Sequence, residues 1–392
     1  MSYFGTLYRY EVKKIIGRKI VWITLLVMVL ILLVSVGGSF FFDSNYRQEV
    51  RMDKTYQMKL DGRKVGGTLL KEMQEGYGKV PLELEKYSKT DEYQTYARPY
   101  SAVLNFLRQA TGMSASEIVH WDAGEQELYD KRQGRLEKQW ENNLLSQEEK
   151  EFWKRWEDEL EQPFTFRYKE GYQRLFDCVY TIGLMVIVAV AICLAGVFPE
   201  EHVRKTDQLI LSSRHGRKTI YFAKLAAGIS VSLFVSIGLV SVSFLLSFIL
   251  FGTEGFSAAF QLIYAMYSYP LSVGEAVLIA YGIVILIGVL LGLVVMFLSE
   301  VFRSSIGTLA LVIGSVILTM VVNGPEHPRL LAQLWSYLPG NFVASMFSLR
   351  TVQIFGKTFL PWQVVPLFYV LLGGILAFAG KRVFVRYQVR AR

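Results

Sequence analysis

Reactive and metal-binding side chains are scarce in this sequence of 392 residues, which has two cysteines and four histidines. The cysteines, Cys178 and Cys193, fall in one apolar run. On a helix that rises 1.5 Å per residue they are roughly 22 Å apart, so they cannot form a disulfide with each other. No two histidines have the spacing of metal ligands on one helix, and we expect no metal site.

Sequence signatures of hydrolysis and of phosphate binding are also missing. Neither H-E-x-x-H nor G-x-S-x-G occurs, so nothing supports membrane proteolysis. A phosphate-binding loop needs G-x-x-x-x-G-K-[ST], and neither Gly66-Gly67-Thr68 nor 216–219 completes it. We therefore expect that this chain is not an enzyme and that it binds no ATP by that route.

Long apolar runs, by contrast, are abundant, and 52% of the residues are hydrophobic. Runs of about 20 apolar residues are long enough to span a bilayer as helices. They predict an all-α polytopic membrane protein with six transmembrane helices. The predicted spans are 20–42, 174–198, 219–251, 273–298, 304–323 and 361–380.

The charges predict the orientation of these spans. Region 43–171 has 21 Lys and Arg against 25 Asp and Glu, so it carries −4, and the rest of the chain carries +12. The excess lies in residues 1–19, in the loop 199–218 and in the tail 381–392. Because positive residues are retained in the cytoplasm, we expect both termini inside a plasma (inner) membrane. The same distribution removes the case for nucleic acid as a partner.

The predicted organisation has a short helix, a first span, an outer domain and a membrane domain. The boundaries are 1–19, 20–42, 43–171 and 172–392; the last includes the cytoplasmic loop 199–218 and an outer interfacial segment, 324–360. The outer domain is predicted to be a mainly α-helical extracytoplasmic insertion, since Ser114–Glu117 and Ser146–Glu149 fit capping boxes. Aromatic residues at helical spacing after the second box are expected in its core.

Residues 3–18 are predicted to form an amphipathic helix in the headgroup plane. Its apolar face contains Phe4, Leu7, Tyr8, Val12 and Ile15. Glu11 interrupts that face, and the alternative is a basic flank that only sets the topology.

Ionisable residues near the spans have ordinary explanations. Lys224 lies near the cytoplasmic edge, where its side chain can snorkel, and Arg174 with Asp177 suggests an interfacial pair. No span carries a chain of charges at mid-membrane, which argues against ion-coupled transport. Gly288 and Gly292 form a GxxxG that predicts close helix packing, with ordinary glycine usage as an equal alternative.

The loop RKTDQLILSSRHGRK, residues 204–218, combines five Lys or Arg with an apolar triplet. A loop that only sets topology needs the charges but not the triplet. From the residues alone, lipid contact and docking on a soluble partner are equally supported.

The segment TDQLILSSRHGRKTIYFAKL, 206–225, resembles the loop between the second and third spans of type-2 ATP-binding-cassette exporter permeases. The matching positions are Thr206, Asp207, Gln208, Leu209, Ile210, Leu211, Ser212, Ser213, Arg217, Lys224 and Leu225. Lys205 and Arg214 depart from the usual glycine and proline of that pattern.

The resemblance implies that this loop contains a coupling helix that binds a separate ATPase subunit. The expected contact residues are Thr206, Asp207, Gln208, Leu209, Ile210, Leu211, Ser212 and Arg217. ATP and magnesium would then be bound by that partner, and a second permease subunit, identical or different, would complete the complex. The expected function is export of an amphipathic, peptide or lipid-like substrate. The alternative is a non-transporting sensor or scaffold with 43–171 as its receptor.

Overall fold

The computed structural model describes residues 3–83, 87–122, 124–203, 218–325 and 327–386. Most of these residues are helical. In chain order the α-helices are α1 (Tyr3–Ile16), α2 (Lys19–Phe42), α3 (Ser44–Leu60), α4 (Gly67–Tyr77), α5 (Ser101–Thr111), α6 (Ala115–Val119), α7 (Glu125–Asn142), α8 (Gln147–Asp158), α9 (Glu170–Leu194), α10 (Pro199–Val203), α11 (Lys218–Phe251), α12 (Val273–Phe302), α13 (Ser305–Val321), α14 (Arg329–Ser336), α15 (Pro339–Ser345) and α16 (Pro361–Arg386). Two short strands, β1 (Val352–Ile354) and β2 (Lys357–Phe359), pair antiparallel. Single turns of 3₁₀ or π helix occur at Tyr87–Lys89, Tyr93–Ala97, Arg98–Tyr100 and Phe260–Leu262.

Within the described residues, five helices are long and apolar enough to cross a membrane. They are α2, α9 with its continuation to Glu201, α11, α12 and α16. They make the chain a multi-pass membrane protein that is predominantly helical.

The sixth predicted span, 304–323, corresponds to the shorter helix α13. Ser304 caps its start by accepting a hydrogen bond from the Gly307 amide at 3.1 Å, and the backbone is extended again at Val322. Its 17 residues extend about 25 Å, somewhat less than the roughly 30 Å hydrocarbon core. The count of six crossings therefore stays a prediction.

Helix α9 is the centre of the bundle and packs against α2, α11 and α12. Along the stretch from Met185 to Leu194 it is buried on most of its circumference, and only Val188 and Ile192, on one face, are partly buried. A helix that is apolar on every face is expected in such a central position.

The middle of the bundle is held together by small residues. A Cβ at Gly288 of α12 would lie 2.2 Å from Ser236 Oγ of α11, and one at Gly292 would lie 2.1 Å from Ser232 Oγ. Larger side chains at either glycine would push the two helices apart, so the glycines set how closely α11 and α12 approach.

The first and last described helices, α1 and α16, mark one end of the bundle, which we call the basic end. There α1 packs against the start of α11, and the Tyr221 hydroxyl donates to the Ala377 carbonyl near the end of α16 at 2.7 Å. The opposite end, which we call the domain end, carries residues 43–169. The two predicted basic flanks and the start of the loop 199–218 thus lie at the same end of the molecule.

Helices α3 to α8 form a folded unit at the domain end. Both predicted capping boxes are present, with the serine and glutamate side chains of Ser114–Glu117 and Ser146–Glu149 each bonded to the other's backbone amide. Trp153 is fully buried, so the expected core role of the aromatic residues in α8 is confirmed for this side chain. The helix ends at Asp158, before Pro163.

Segment 324–360 contains the expected short helices, α14 and α15, and also a β-hairpin that the sequence did not suggest. The hairpin turn is made by Phe355 and Gly356, both at positive φ. A tight two-residue hairpin turn requires positive φ at both of its residues. Glycine or asparagine usually occupies the first position, so a phenylalanine there does not indicate a turn in the sequence.

Candidate functional site

The predicted coupling loop begins and ends at the basic end, between α10 and α11. Its core, 204–217, and with it all the predicted contacts from Thr206 to Arg217, lies outside the described residues. The structure describes the two helices that flank this loop and what holds them in place.

Helix α10 presents acidic residues to α1 and α11. It begins at Pro199, a residue whose fixed φ suits a first helical position, and Glu200 and Glu201 follow in the first turn. Glu201 is 6% exposed although it is charged. Such burial requires nearby cations.

Lys14 and Lys224 are these cations, and with Glu11 and Glu201 they form a group of four charges in which Lys14 alone is partly exposed. We call Glu11, Lys14, Glu201 and Lys224 the basic-end cluster. Lys224 Nζ lies 2.5 Å from Glu201 Oε1 and 3.1 Å from Glu11 Oε2. Lys14 Nζ lies 2.6 Å from the same Glu201 oxygen. Three helices, α1, α10 and α11, are joined at one point.

The cluster contains two carboxylates and two ammonium groups, so its formal charges cancel. Lys224 is fully buried and Glu11 is 2% exposed. In such an environment, removal of one charge leaves another uncompensated, which typically costs about 3–5 kcal/mol. The helices that carry these four residues are therefore expected to move together.

Two further contacts strengthen this junction. Arg18, which follows α1, lies with Nε 3.0 Å from Glu200 Oε1 and donates from a terminal nitrogen to the Gly196 carbonyl at 3.1 Å. The Tyr8 hydroxyl donates to Ser230 Oγ of α11 at 2.8 Å. Helix α1 is thus bonded both to the segment before the loop and to the helix after it.

The cluster corrects two expectations. Lys224 does not snorkel to water, because its ammonium is enclosed by the two carboxylates. Glu11 does not spoil the apolar face of α1; it is the polar centre of the face that α1 buries together with Ile15. Glu11 and Lys224 carry opposite charges, and each interrupts an apolar pattern in the sequence. These two features could have suggested that the residues pair.

A second buried charge pair lies at the domain end. Arg132 of α7 forms an ion pair with Glu157 of α8 and donates from Nε to the Ala265 carbonyl at 2.7 Å. Ser268 donates to the other Glu157 oxygen at 2.7 Å. This pair attaches α7 and α8 to the segment between α11 and α12.

A third charge contact joins α8 to the segment 324–360. Glu149 pairs with Arg329 and accepts from the Thr351 amide at 2.8 Å, while the Trp153 indole donates to the Leu349 carbonyl at 2.8 Å. Burial opposes ionisation of Glu149, but the hydrogen bonds from Arg329 and Thr351 outweigh it and lower the pKa of its carboxyl. The carboxylate is therefore the stable form in this contact.

An aromatic cavity of about 410 Å³ opens beside the part of α9 nearest the domain end. It is lined by rings that include Phe176, Tyr264 and Phe347, and Asp177 lies on its wall. Arg174 and Asp177, the expected interfacial pair, form no direct ion pair among the described residues, although the charge of Arg174 acts on Asp177. Arg174 instead donates to the Tyr46 hydroxyl at 2.7 Å and contacts Glu170 at 3.4 Å.

The bundle of long apolar helices defines a multi-pass membrane protein. Residues 6–326 match the family model described as ABC-2 family transporter protein, which covers more than three quarters of the chain. The chain belongs to this family and is a membrane permease of an ABC transporter. No curated protein matches it, and no solved structure matches it.

Proposed function

We propose that this permease couples ATP hydrolysis by a separate ATPase subunit to export of an amphipathic, peptide or lipid-like substrate. Both termini and the loop 199–218 would face the cytoplasm, and α13 would complete a sixth crossing. ATP and magnesium would be bound by the ATPase, and two permease subunits, identical or different, would work together.

The observation that carries this proposal is the basic-end cluster on either side of the loop. Glu201 precedes 204–217, Lys224 follows it, and both bond at one point that also includes α1. A force on the loop would therefore reach α9, which runs directly into α10, and α11 at the same time. A loop that served only to set topology would not need its flanks fixed in this way.

Recognition of the ATPase would rest on the loop itself. Leu209, Ile210 and Leu211 would fill an apolar groove, with Thr206, Asp207, Gln208, Ser212 and Arg217 around them to fix the register. Apolar anchors surrounded by polar groups are typical of protein interfaces.

The aromatic cavity supports the proposed substrate class. Its lining is mainly rings and aliphatic groups, with Asp177 and the Ser345 and Ser348 side chains as polar neighbours. Such a lining suits an apolar group attached to a polar one better than a small hydrophilic ion.

Co-purification of the ATPase tests the proposal. Leu209→Asp/Leu211→Asp is expected to abolish recovery of the ATPase with the tagged permease, because two charges would enter the apolar groove. The matched control is Leu144→Asp, at an exposed position of the outer domain. If the double variant retained both the ATPase and its hydrolysis rate, the coupling assignment would be wrong.

The alternative function is a non-transporting sensor with the outer domain as receptor. A polar cavity between that domain and the bundle is the observation that favours it. Under this alternative, no ATPase would co-purify with the unaltered permease.

A further inference from the structure

A polar cavity among the described residues lies where the outer domain meets the start of α9. Its volume is about 580 Å³, within the range typical of small-molecule sites. Helices α3 and α5 of the outer domain form one side, and Lys169, Glu170 and Gln173 form the other. Leu262 and Ile263 add an apolar patch.

The carboxylates in the lining already have cationic partners. Asp53 Oδ1 lies 2.7 Å from Arg98 Nε, and Glu170 Oε1 lies 3.4 Å from the Arg174 guanidinium. They are therefore poor candidates for binding a cationic ligand.

The cations in the lining, by contrast, lack acidic partners. Neither Lys169 nor Arg108 forms an ion pair with any described residue. Lys169 is 5% exposed, and its ammonium lies 5.7 Å from the Phe166 ring centroid. The Glu170 carboxylate acts on this ammonium from beyond ion-pair distance, so an anion bound in direct contact would stabilise the buried charge further.

Two further features favour an anion. The cavity includes the first residues of α9, a 25-residue helix whose positive N-terminal end attracts negative charge. Amide side chains from three helices, Gln57, Asn105, Gln109 and Gln173, complete the lining. Such groups both donate and accept hydrogen bonds, which suits a polar ligand body.

We propose that this cavity binds a small polar ligand through an anionic group, with Lys169 and Arg108 as the recognising cations. The anion is either a carboxylate, as at the free C-terminus of a short peptide, or a phosphate on a polyol. Recognition here is independent of the coupling loop and extends beyond the proposed export function.

The protonation equilibrium of the Lys169 ammonium agrees with an anion-binding site. Burial lowers the pKa of its ammonium to about 8, although Glu170 acts in the opposite direction. An anion beside the ammonium would raise that pKa again. Binding at pH 8 is therefore expected to take up protons from the solution.

Titration calorimetry on the purified full chain tests the proposal with four probes. They are the peptide Ala-Ala-Ala, its C-terminal amide, glycerol 3-phosphate and glycerol. We expect binding of at least one anionic probe and much weaker binding of its neutral counterpart. Which anion binds distinguishes a carboxylate ligand from a phosphate ligand.

Three variants complete the test. Lys169→Gln and Arg108→Gln are each expected to weaken anion binding about tenfold or more, the size of one lost charged hydrogen bond. Lys169→Gln also removes the proton uptake, which is measured as the difference in heat between two buffers of unlike ionisation enthalpy. The control Lys154→Gln, at an exposed position of α8, should bind as the unaltered protein does.

Two results would overturn the proposal. One is that neither anion binds at millimolar concentration. The other is that both cavity variants bind like the Lys154→Gln control. Since Arg108 is exposed on the cavity rim, its variant keeps the test informative even if Lys169→Gln fails to fold.

Discussion

The basic end and the domain end both contain buried charges, but the charges join different kinds of segment. At the basic end, Glu11, Glu201 and Lys224 lie on helices, and the pairs tie those helices to each other. At the domain end, Arg132 and Glu149 lie on outer helices and bond to loops of the membrane bundle. In the middle of the bundle, between the two ends, α11 and α12 pack through small residues and not through charges.

The difference indicates which movements each end can transmit to the helices of the bundle. Helices that are fixed to each other beside a loop move as a unit when that loop is pushed. At the domain end the buried charges fix α7 and α8 to loops, while the hydrogen bond from Arg174 to the Tyr46 hydroxyl joins α3 to the bundle helix α9. The predictions below separate these two kinds of attachment.

The largest expected effect is at the basic end. Lys224→Met leaves Glu11 without its nearest cation in a buried site, so we expect a loss of about 3–5 kcal/mol in unfolding free energy. Thermal unfolding in detergent measures it. The control is Lys218→Met, an exposed lysine on the same helix, and Lys224→Met/Glu11→Gln should recover much of the loss. A stable single variant would show that the cluster does not hold the junction.

The next effect concerns the domain end. Arg132→Met leaves the Glu157 carboxylate with hydrogen bonds but no cation, at an expected cost of about 3 kcal/mol. Because this pair joins the outer helices to a loop, the loss should be local. Limited proteolysis should cut the segment 259–272 faster, while the bundle unfolds at its usual temperature. Equal destabilisation of the bundle would contradict the distinction between the two ends.

A smaller effect is expected in the middle of the bundle. Gly288→Ala places a methyl group 2.2 Å from Ser236 Oγ, so α11 and α12 must separate, at about 1–3 kcal/mol. Gly282→Ala on the same helix meets nothing within 4 Å and should be neutral or slightly stabilising. Similar unfolding temperatures for the two variants would show that the close approach is unimportant.

The smallest effect is a pH dependence of the outer contact. The pKa of Glu149 is lowered in the folded protein, so its contribution is present above the unfolded-state pKa, about 4.3, and is lost as pH falls through the lower folded value. Between pH 5 and pH 3 the outer domain should lose stability, as followed by tryptophan fluorescence. Glu149→Gln should be less stable at pH 7 and should show a shallower decline. Parallel acid transitions for both proteins would contradict this assignment.

Elements whose cause is local could be predicted from the sequence. The capping boxes at Ser114 and Ser146, and a third at Ser272, each need only a serine and a glutamate three residues later. Long apolar runs such as 273–298 likewise contain enough information to predict a helix. The family resemblance rested on the loop and the topology together, and the family match confirms it.

Contacts between distant segments could not be predicted. Glu11 and Lys224 are 213 residues apart, and each alone has a common explanation on the surface or at a membrane edge. The polar cavity brings together α3, α5 and α9, so no single stretch carries its signal. The hairpin at 352–359 escaped because Phe355 occupies a position where glycine or asparagine is expected.

The orientation of the loop is the claim on which the coupling account depends, and labelling with a membrane-impermeant thiol reagent tests it directly. In a background with Cys178 and Cys193 changed to serine, Ser212→Cys and Lys154→Cys are compared in intact and permeabilised cells. The account predicts that Lys154→Cys reacts in intact cells and that Ser212→Cys reacts only after permeabilisation. Reaction of Ser212→Cys in intact cells would place the loop outside, where no ATPase could bind it.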